Sequence, residues 1–355
     1  MLWGGIDEAA KCIREGGVVA FPTETVYGLG ADAFNATAVS RIYSAKGRPG
    51  DNPLILHVAS AEKFFELAQT PPPYAAKLIE AFWPGALTLV VKKKSTLPQW
   101  LGGHPDRMTD TIGIRMPANS IARAIVASAD CVIAAPSANK AGTPSPTTAV
   151  HVSDDFASGE IDMIVDGGSV ELGLESTVVD VTGETPVILR PGGITAEMIS
   201  RALGMEIPEP SNMYMATYCS PKNEPYSHRD RSTPRAPGMK YRHYAPKAPV
   251  TVVFGSVENI AAYIMKQCEQ KGAAVGVLTA SETQKFASIF NGTNAKILHL
   301  GNTPEAAALN LFAHLREFDK LGVMEIFAEA VSDEGIGAAI MDRLLKAAEG
   351  RVVHV

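Results

Sequence analysis

Short apolar runs alternate with helical patterns over roughly the first two hundred positions. Val18–Phe21, Leu54–Val58, Leu87–Val91, Thr111–Arg115, Cys131–Ala135, Met163–Val165, Thr177–Val181 and Val187–Leu189 read as strands. Helical periodicity falls at Ile6–Glu15, Thr37–Ala45, Tyr74–Phe82 and Ile121–Ala127. The last four strands follow one another with little helix between them. The pattern therefore predicts an α/β fold whose first part is a twisted mixed sheet with flanking helices, not a strict βαβ series. From residue 250 the alternation is clean. Strands at Val250–Phe254, Ala274–Leu278, Ile297–Leu300, Ile326–Ala330 and Val352–Val355 alternate with helices at Val257–Gln270, Glu282–Phe290, Pro304–Leu321 and Ile336–Ala348. This predicts a smaller, Rossmann-like doubly wound domain. Its Gly335-Ile336-Gly337 matches the opening of a dinucleotide fingerprint, but Ile340 stands where the third glycine would be, so a tight strand-to-helix turn is expected there.

Between the two parts, residues 206–249 lose the period. They hold eight of the 24 prolines, five of the nine tyrosines, and seven Lys/Arg against four Asp/Glu. Such a segment cannot bury enough surface to fold alone, and a passive linker would be richer in Gly and Ser. It reads either as a stiff spacer or as a cover over a site, with Tyr241 among the rings and cations of Pro237 to Pro246. The expected organisation is a catalytic domain over 1–205, a linker and active-site lid over 206–249, and a small α/β domain over 250–355.

Composition narrows the class. A chain of 355 residues with 46% hydrophobic and 20% charged positions is globular, and two domains suit its length. No apolar run approaches the roughly 18 residues of a membrane span. The four cysteines are scattered, without a Cys-x-x-Cys, and the N-terminus has no basic and apolar leader pattern. A cytoplasmic protein with reduced thiols and no membrane partner is expected. The net charge of −6 argues against a protein that coats nucleic acid, so an anionic ligand would need a local basic cluster.

Four motifs supply one. Phe21-Pro22-Thr23-Glu24-Thr25-Val26-Tyr27-Gly28 packs hydroxyls, a carboxylate and a phenol into a turn after an apolar strand, a mixture that grips a small polar molecule better than it builds a core. Lys46-Gly47-Arg48 precedes Asn52-Pro53-Leu54 and a strand that ends at His57; the compact ammonium and planar guanidinium suit phosphate. Ala135-Pro136-Ser137-Ala138-Asn139 and the following Thr143, Ser145 and Thr147 set hydroxyls and an amide on a turn after a strand, where α/β proteins hold ligands, although Ser145 or Thr147 could equally cap a helix. Arg115 and Arg190 close apolar strands, and Glu175-Ser176-Thr177 opens one. An arginine so placed needs an anion, either a ligand's or an internal carboxylate such as Glu24 or Glu175. There is no P-loop, no His-x-x-x-His and no Gly-x-Ser-x-Gly. A site of hydroxyls and four cations without a covalent nucleophile suits nucleotidyl transfer, in which alignment and neutralised phosphate charge lower the barrier.

Pro-Thr-Glu-Thr-Val-Tyr-Gly-Leu, Lys-x-Arg with Asn-Pro-Leu, Pro-Ser-Ala-Asn, Glu-Ser-Thr and Arg-Pro-Gly, in that order, resemble a YrdC-like domain. With Pro-Gly-Met-Lys-Tyr-Arg-His-Tyr-Ala-Pro and the tail 250–355, the whole chain resembles the longer threonylcarbamoyl-AMP synthases. The resemblance implies that L-threonine, bicarbonate or carbon dioxide, and ATP give threonylcarbamoyl-AMP and pyrophosphate. Downstream threonylcarbamoyl-transferase proteins would then carry the group to the adenosine beside the anticodon of tRNA, which this chain meets only indirectly. It further implies that Thr25, His57, Arg115, Ala135 and Ser176 hold threonine. Arg48, Asn52, Thr111, Ser137, Ser145, Arg190 and Tyr241 would hold ATP, with Lys46 and Arg48 stabilising the transferred charge. Magnesium would be held mainly by the nucleotide phosphates, not by protein side chains. Two other readings stay open: an RNA-binding module, and a carbamoyl-adenylate enzyme with a different acceptor.

Overall fold

The computed structural model describes residues 2–208, 243–271, 274–280, 289–290 and 292–355. These divide into two compact units, one of residues 2–141 and 145–208, the other of 142–144 and 243–355. Most of the 206–249 segment, Cys219, Tyr241 and most of the expected helix Glu282–Phe290 lie outside the described residues.

In the first unit the chain runs β1 (Leu2–Trp3), α1 (Ile6–Arg14), β2 (Val19–Phe21), β3 (Gly28–Asp32), α2 (Ala36–Lys46), β4 (Ile55–His57), α3 (Glu62–Leu67), α4 (Pro73–Phe82), β5 (Leu87–Lys92) and β6 (Thr111–Arg115). It continues through α5 (Ser120–Ala129), β7 (Ile133–Ala134), α6 (Ala149–Asp155), β8 (Met163–Ile164), β9 (Thr177–Asp180), β10 (Val187–Arg190) and α7 (Ala196–Leu203). The strands form one ten-stranded sheet ordered β1-β8-β2-β3-β7-β4-β6-β5-β9-β10. It is mixed, as expected: β4 and β6 pair in parallel, and β7 runs antiparallel to both β3 and β4. The turn after Phe21 leads not into a helix but into β3, which returns antiparallel to β2.

Apolar residues on the two sheet faces decide where the helices go. Leu56, Leu87, Leu89, Val91, Ile112 and Ile114 point to one face, where Phe64 of α3, Leu78 of α4 and Ile199 of α7 join them in a continuous core. On the other face α1 and α5 pack on Val19, Phe21, Ile133, Ala135 and Met163. That second core stops at β7. Beyond it, register and alternation put Ile55 and His57 of β4, Thr111, Gly113 and Arg115 of β6, and Thr88 and Val90 of β5 on the same face. The face therefore changes from apolar and helix-covered to small and polar within one sheet, and this half carries the site.

The second unit holds β11 (Val250–Phe254), α8 (Val257–Lys271), β12 (Val275–Thr279), β13 (Lys296–His299), α9 (Pro304–Leu321), β14 (Glu325–Glu329), α10 (Ile336–Ala347) and β15 (Val352–His354). Its five strands are all parallel, in the order β13-β12-β14-β11-β15, as the clean alternation requires. Gly335 has φ of +57°, and a Cβ on Gly337 would lie 2.0 Å from the Ser332 carbonyl, so the Gly-x-Gly makes the tight turn into α10.

Candidate functional site

The loop between β2 and β3 folds back across the polar half-face. Thr23 and Thr25 lie 2.8 Å apart through their hydroxyls, and Thr23 Oγ1 donates to the Val26 carbonyl at 2.6 Å. Each hydroxyl has one proton, so Thr25 donates to Thr23 and accepts from Arg115 Nη1, 2.9 Å away. Arg115 Nε donates to the Gly85 carbonyl at 3.1 Å, and Nη2 sits 2.7 Å from Glu24 Oε1. Thr25, Glu24 and Arg115 are 1%, 4% and 4% exposed. Burial pushes the Glu24 carboxyl up, but the charge and hydrogen bonding of Arg115 and the nearby Ala118 N–H outweigh it, and the net pKa is lowered. The internal-carboxylate alternative for Arg115 thus holds for Glu24. The Tyr27 phenol, by contrast, serves the fold: it donates to the Gly168 carbonyl at 2.7 Å and accepts from Gly167 N–H at 3.1 Å, and burial raises its pKa to about 12.

His57 is the β4 residue paired with Arg115 in register. Desolvation, then the Arg115 charge, lowers its pKa to about 3, so it is a neutral imidazole at physiological pH. Its folded value lies below the 6.5 of a free imidazole, so between the two the unfolded chain binds a proton that the folded chain does not. The stability contributed by neutral His57 is complete above pH 6.5 and declines as pH falls, by about 1.4 kcal/mol per pH unit at its steepest. Chemical denaturation of the wild type and His57→Asn between pH 7 and 5 should show the wild type losing more stability on acidification.

Thr88, next in register to Arg115, shares a 2.8 Å hydrogen bond with Ser176. Arg190 donates to the Ser176 carbonyl through Nη2 at 2.9 Å and reaches its hydroxyl at 3.3 Å. Ser145 donates to Glu175. The Arg-Pro-Gly-Gly turn lies directly under the Glu-Ser-Thr backbone. A Cβ on Gly192 would come within 2.4 Å of the Thr177 nitrogen and 2.7 Å of the Glu175 carbonyl, which is why glycine is needed there.

The remaining cations lie elsewhere. Lys46 closes α2, with its ammonium on the Ser137 and Asn139 carbonyls, and is 2% exposed. Ser137 bridges to Gly28. Arg48 donates to the Asn52 carbonyl at 3.1 Å, Asn52 Oδ1 at 2.8 Å and the Pro53 carbonyl at 2.7 Å, and Tyr43 OH reaches the same Asn52 carbonyl at 2.9 Å. Arg48 also lines a cleft of about 500 Å³ together with Tyr43, His104 and Arg107.

The site residues expected from the sequence thus fall into groups. Contacts join Thr25, Arg115 and His57, then Ser176 and Arg190 through Thr88, and Ser145 through Glu175. Lys46 and Ser137 form a second group, and Arg48 with Asn52 a third. Thr111 lies on the Arg115 face of β6 but four residues back, about 13 Å along the strand. Ala135 N donates to the Ile55 carbonyl, two positions along from His57, and Ser137 lies two positions further from Arg115, because β7 is antiparallel to β4. Ser137 does stand on a turn after a strand, as its sequence implied, but that strand is antiparallel to β4, so its end does not coincide with the ends of β4 and β6. Tyr241 lies outside the described residues. Sequence reasoning missed Thr88, whose signal was a lone hydroxyl between Leu87 and Leu89, and Gly113, a glycine between two isoleucines on the strand that carries Arg115.

Comparison with known proteins follows the same division. The family model described as Telomere recombination matches residues 11–192, and the one described as Threonylcarbamoyl-AMP synthase, C-terminal domain, matches 194–349. A Pyrococcus abyssi protein named threonylcarbamoyl-AMP synthase is 44% identical over 350 residues, covering 98% of this chain and 95% of its own. A Bacillus subtilis protein of the same name is 44% identical over 349 residues, covering 98% of this chain and 94% of its own. The crystal structure of P. abyssi Sua5 complexed with L-threonine aligns with a TM-score of 0.84 at 44% identity, over 99% of this chain and 96% of that one.

Proposed function

The chain belongs to the threonylcarbamoyl-AMP synthase family, and on that premise we propose how its residues divide the work. The reaction joins L-threonine, bicarbonate or carbon dioxide, and ATP into threonylcarbamoyl-AMP and pyrophosphate, for threonylcarbamoyl modification of tRNA. In class it is a nucleotidyl transfer.

The observation that carries the assignment is the buried Arg115–Thr25–Glu24 cluster beside neutral His57. A guanidinium has five N–H donors. Gly85, Thr25 and Glu24 engage three directions, which leaves two donors, the number a carboxylate takes in bidentate pairing. Arg115 thus anchors the threonine carboxylate, with Thr25, His57, Ala135 and Ser176 around the amino acid. ATP lies along the same face toward Thr111, its phosphates held by Lys46, Arg48, Asn52, Ser137, Ser145 and Arg190, with Tyr241 closing over it. Magnesium, where bound, would be held by the nucleotide phosphates, which suits an ion that dehydrates reluctantly. The nucleophile is the N-carboxylate of threonine and the leaving group is pyrophosphate, so the cations neutralise charge that grows as the bond to phosphorus breaks.

In this reading residues 1–205 are the catalytic domain, 206–249 the linker and lid, and 250–355 the small domain. The protein works in the cytoplasm, and downstream transferase proteins consume the product. No helix among the described residues is long and apolar enough to cross a membrane. The RNA-binding alternative needs its cations on the surface, whereas Lys46, Arg115 and Arg190 are 2%, 4% and 4% exposed. Pyrophosphate release from ATP is the test. It should require both L-threonine and bicarbonate. Release indifferent to threonine would point to another acceptor, and salt-sensitive RNA binding without turnover would reject the enzyme reading.

A further inference from the structure

Glu24 is a buried carboxylate whose only charged partner among the described contacts is Arg115, 2.7 Å away. The pair is close but imperfectly aligned, and the buried Glu24 oxygens and Arg115 Nη2 have hydrogen-bonding capacity that the chain meets only in part. Both side chains are 5% exposed, and buried polar groups left in this state stand out against the norm. Three atoms of the cluster, both Glu24 oxygens and Arg115 Nη2, thus keep capacity for a ligand. An α-amino acid carries its ammonium and carboxylate on one carbon. Its natural complement is a carboxylate and a guanidinium side by side.

We propose that Glu24 is the counter-ion of the threonine α-ammonium, so that Glu24 and Arg115 together read the zwitterion. This rests on the threonine reading above and adds a residue to it. Among the described residues, Glu24 is the carboxylate in direct contact with the Arg115 guanidinium. His57 is neutral, and Glu175 already accepts from Ser145. Thr25, whose hydroxyl accepts from Arg115 Nη1, follows Glu24 directly in sequence. Glu24 stays ionised at neutral pH because Arg115 outweighs its desolvation. The assignment predicts selection for amino acids over hydroxy acids of the same shape.

Calorimetric binding of L-threonine and of its des-amino analogue 3-hydroxybutanoate, to the full-length wild type and to Glu24→Gln, tests it. Wild type should prefer threonine to the analogue by at least about 30-fold, and Glu24→Gln should lose threonine affinity by a similar factor while binding the analogue as the wild type does. An equal loss for both ligands in the variant would mean that Glu24 acts only by holding Arg115, and would overturn the assignment. Equal wild-type affinity for the two ligands would overturn it without recourse to a variant, should Glu24→Gln fail to fold. Wild-type protein that binds neither ligand would instead reject the threonine reading itself.

Discussion

Arg115→Ala is expected to lower kcat/KM for threonine by about 100- to 1,000-fold and, separately, to cost about 3–5 kcal/mol of folding stability. The two losses have different origins. The kinetic one is the missing anchor for a carboxylate. The stability one is the Glu24 charge left behind, 4% exposed and without its guanidinium. Pairing Arg115→Met with Glu24→Leu removes both charges and should recover most of the stability, since an apolar replacement of a buried ion pair is close to neutral. Turnover should stay low in that double variant. Arg115→Lys keeps the charge but gives up the planar fork that now spans Gly85, Thr25 and Glu24, so it too should lose most activity. Steady-state kinetics well below every variant's melting temperature, alongside urea denaturation, separates the effects. Wild-type turnover in Arg115→Ala would remove Arg115 from the site.

Much of this was legible because buried strands and ligand loops write different sequences. Thr111–Arg115 and Pro304–Leu321 were readable to the residue, since an apolar run ending in arginine, or a capped amphipathic period beginning with proline, has few other solutions. Gly28–Asp32 was not. A strand of Gly-Leu-Gly-Ala-Asp has no β-branched residues and looks like a turn; it is a strand because Gly30 leaves room for Phe21 and Ile133, which a Cβ would meet at 2.5 and 2.7 Å. The short helices Glu62–Leu67 and Ala149–Asp155 have too few turns to show a period and owe their form to packing.

The motifs announced a site but not its layout. Direction of pairing is a non-local property: nothing within Cys131 to Asn139 says that this strand will run against the one ending in His57. That single antiparallel step sends Ser137 to one end of the face and leaves Arg115 at the other, about 13 Å along the strands. A long substrate pair, an amino acid and a nucleoside triphosphate, needs such a spread of contacts more than it needs one compact pocket. Glu24 was among the carboxylates the sequence offered to Arg115, but nothing local chose it over Glu175.

In the second unit the largest effect is expected from Asp342→Ala. Helix α10 is buried on nearly every side, with Ile340, Met341, Leu344 and Leu345 in contact with the core, yet it carries Asp342 and Arg343 at 1% and 0% exposure. Asp342 lies 2.7 Å from Arg343 Nη1 and 2.7 Å from Lys346 Nζ, and the Arg343 guanidinium lies 5.5 Å from the Tyr244 ring centroid, itself stacked on Phe312. Burial raises the Asp342 pKa, but the Lys346 and Arg343 charges outweigh it and the net value falls below 3.8. Its stabilising contribution is therefore complete above that pH and is lost only as pH drops through the lowered value. At neutral pH the alanine variant forfeits all of it and takes the carboxylate away from a fully buried guanidinium, at a cost of about 3–5 kcal/mol. For a domain of this size the melting temperature should fall by on the order of 15 °C. Lys346→Met should matter far less, because Lys346 keeps 11% exposure and Arg343 retains its partner. Asp342→Leu combined with Arg343→Met, which replaces the pair with apolar volume, should recover most of the loss. Thermal unfolding followed by circular dichroism resolves the series, and equal melting of Asp342→Ala and Lys346→Met would show that the buried pair does not hold this helix in place.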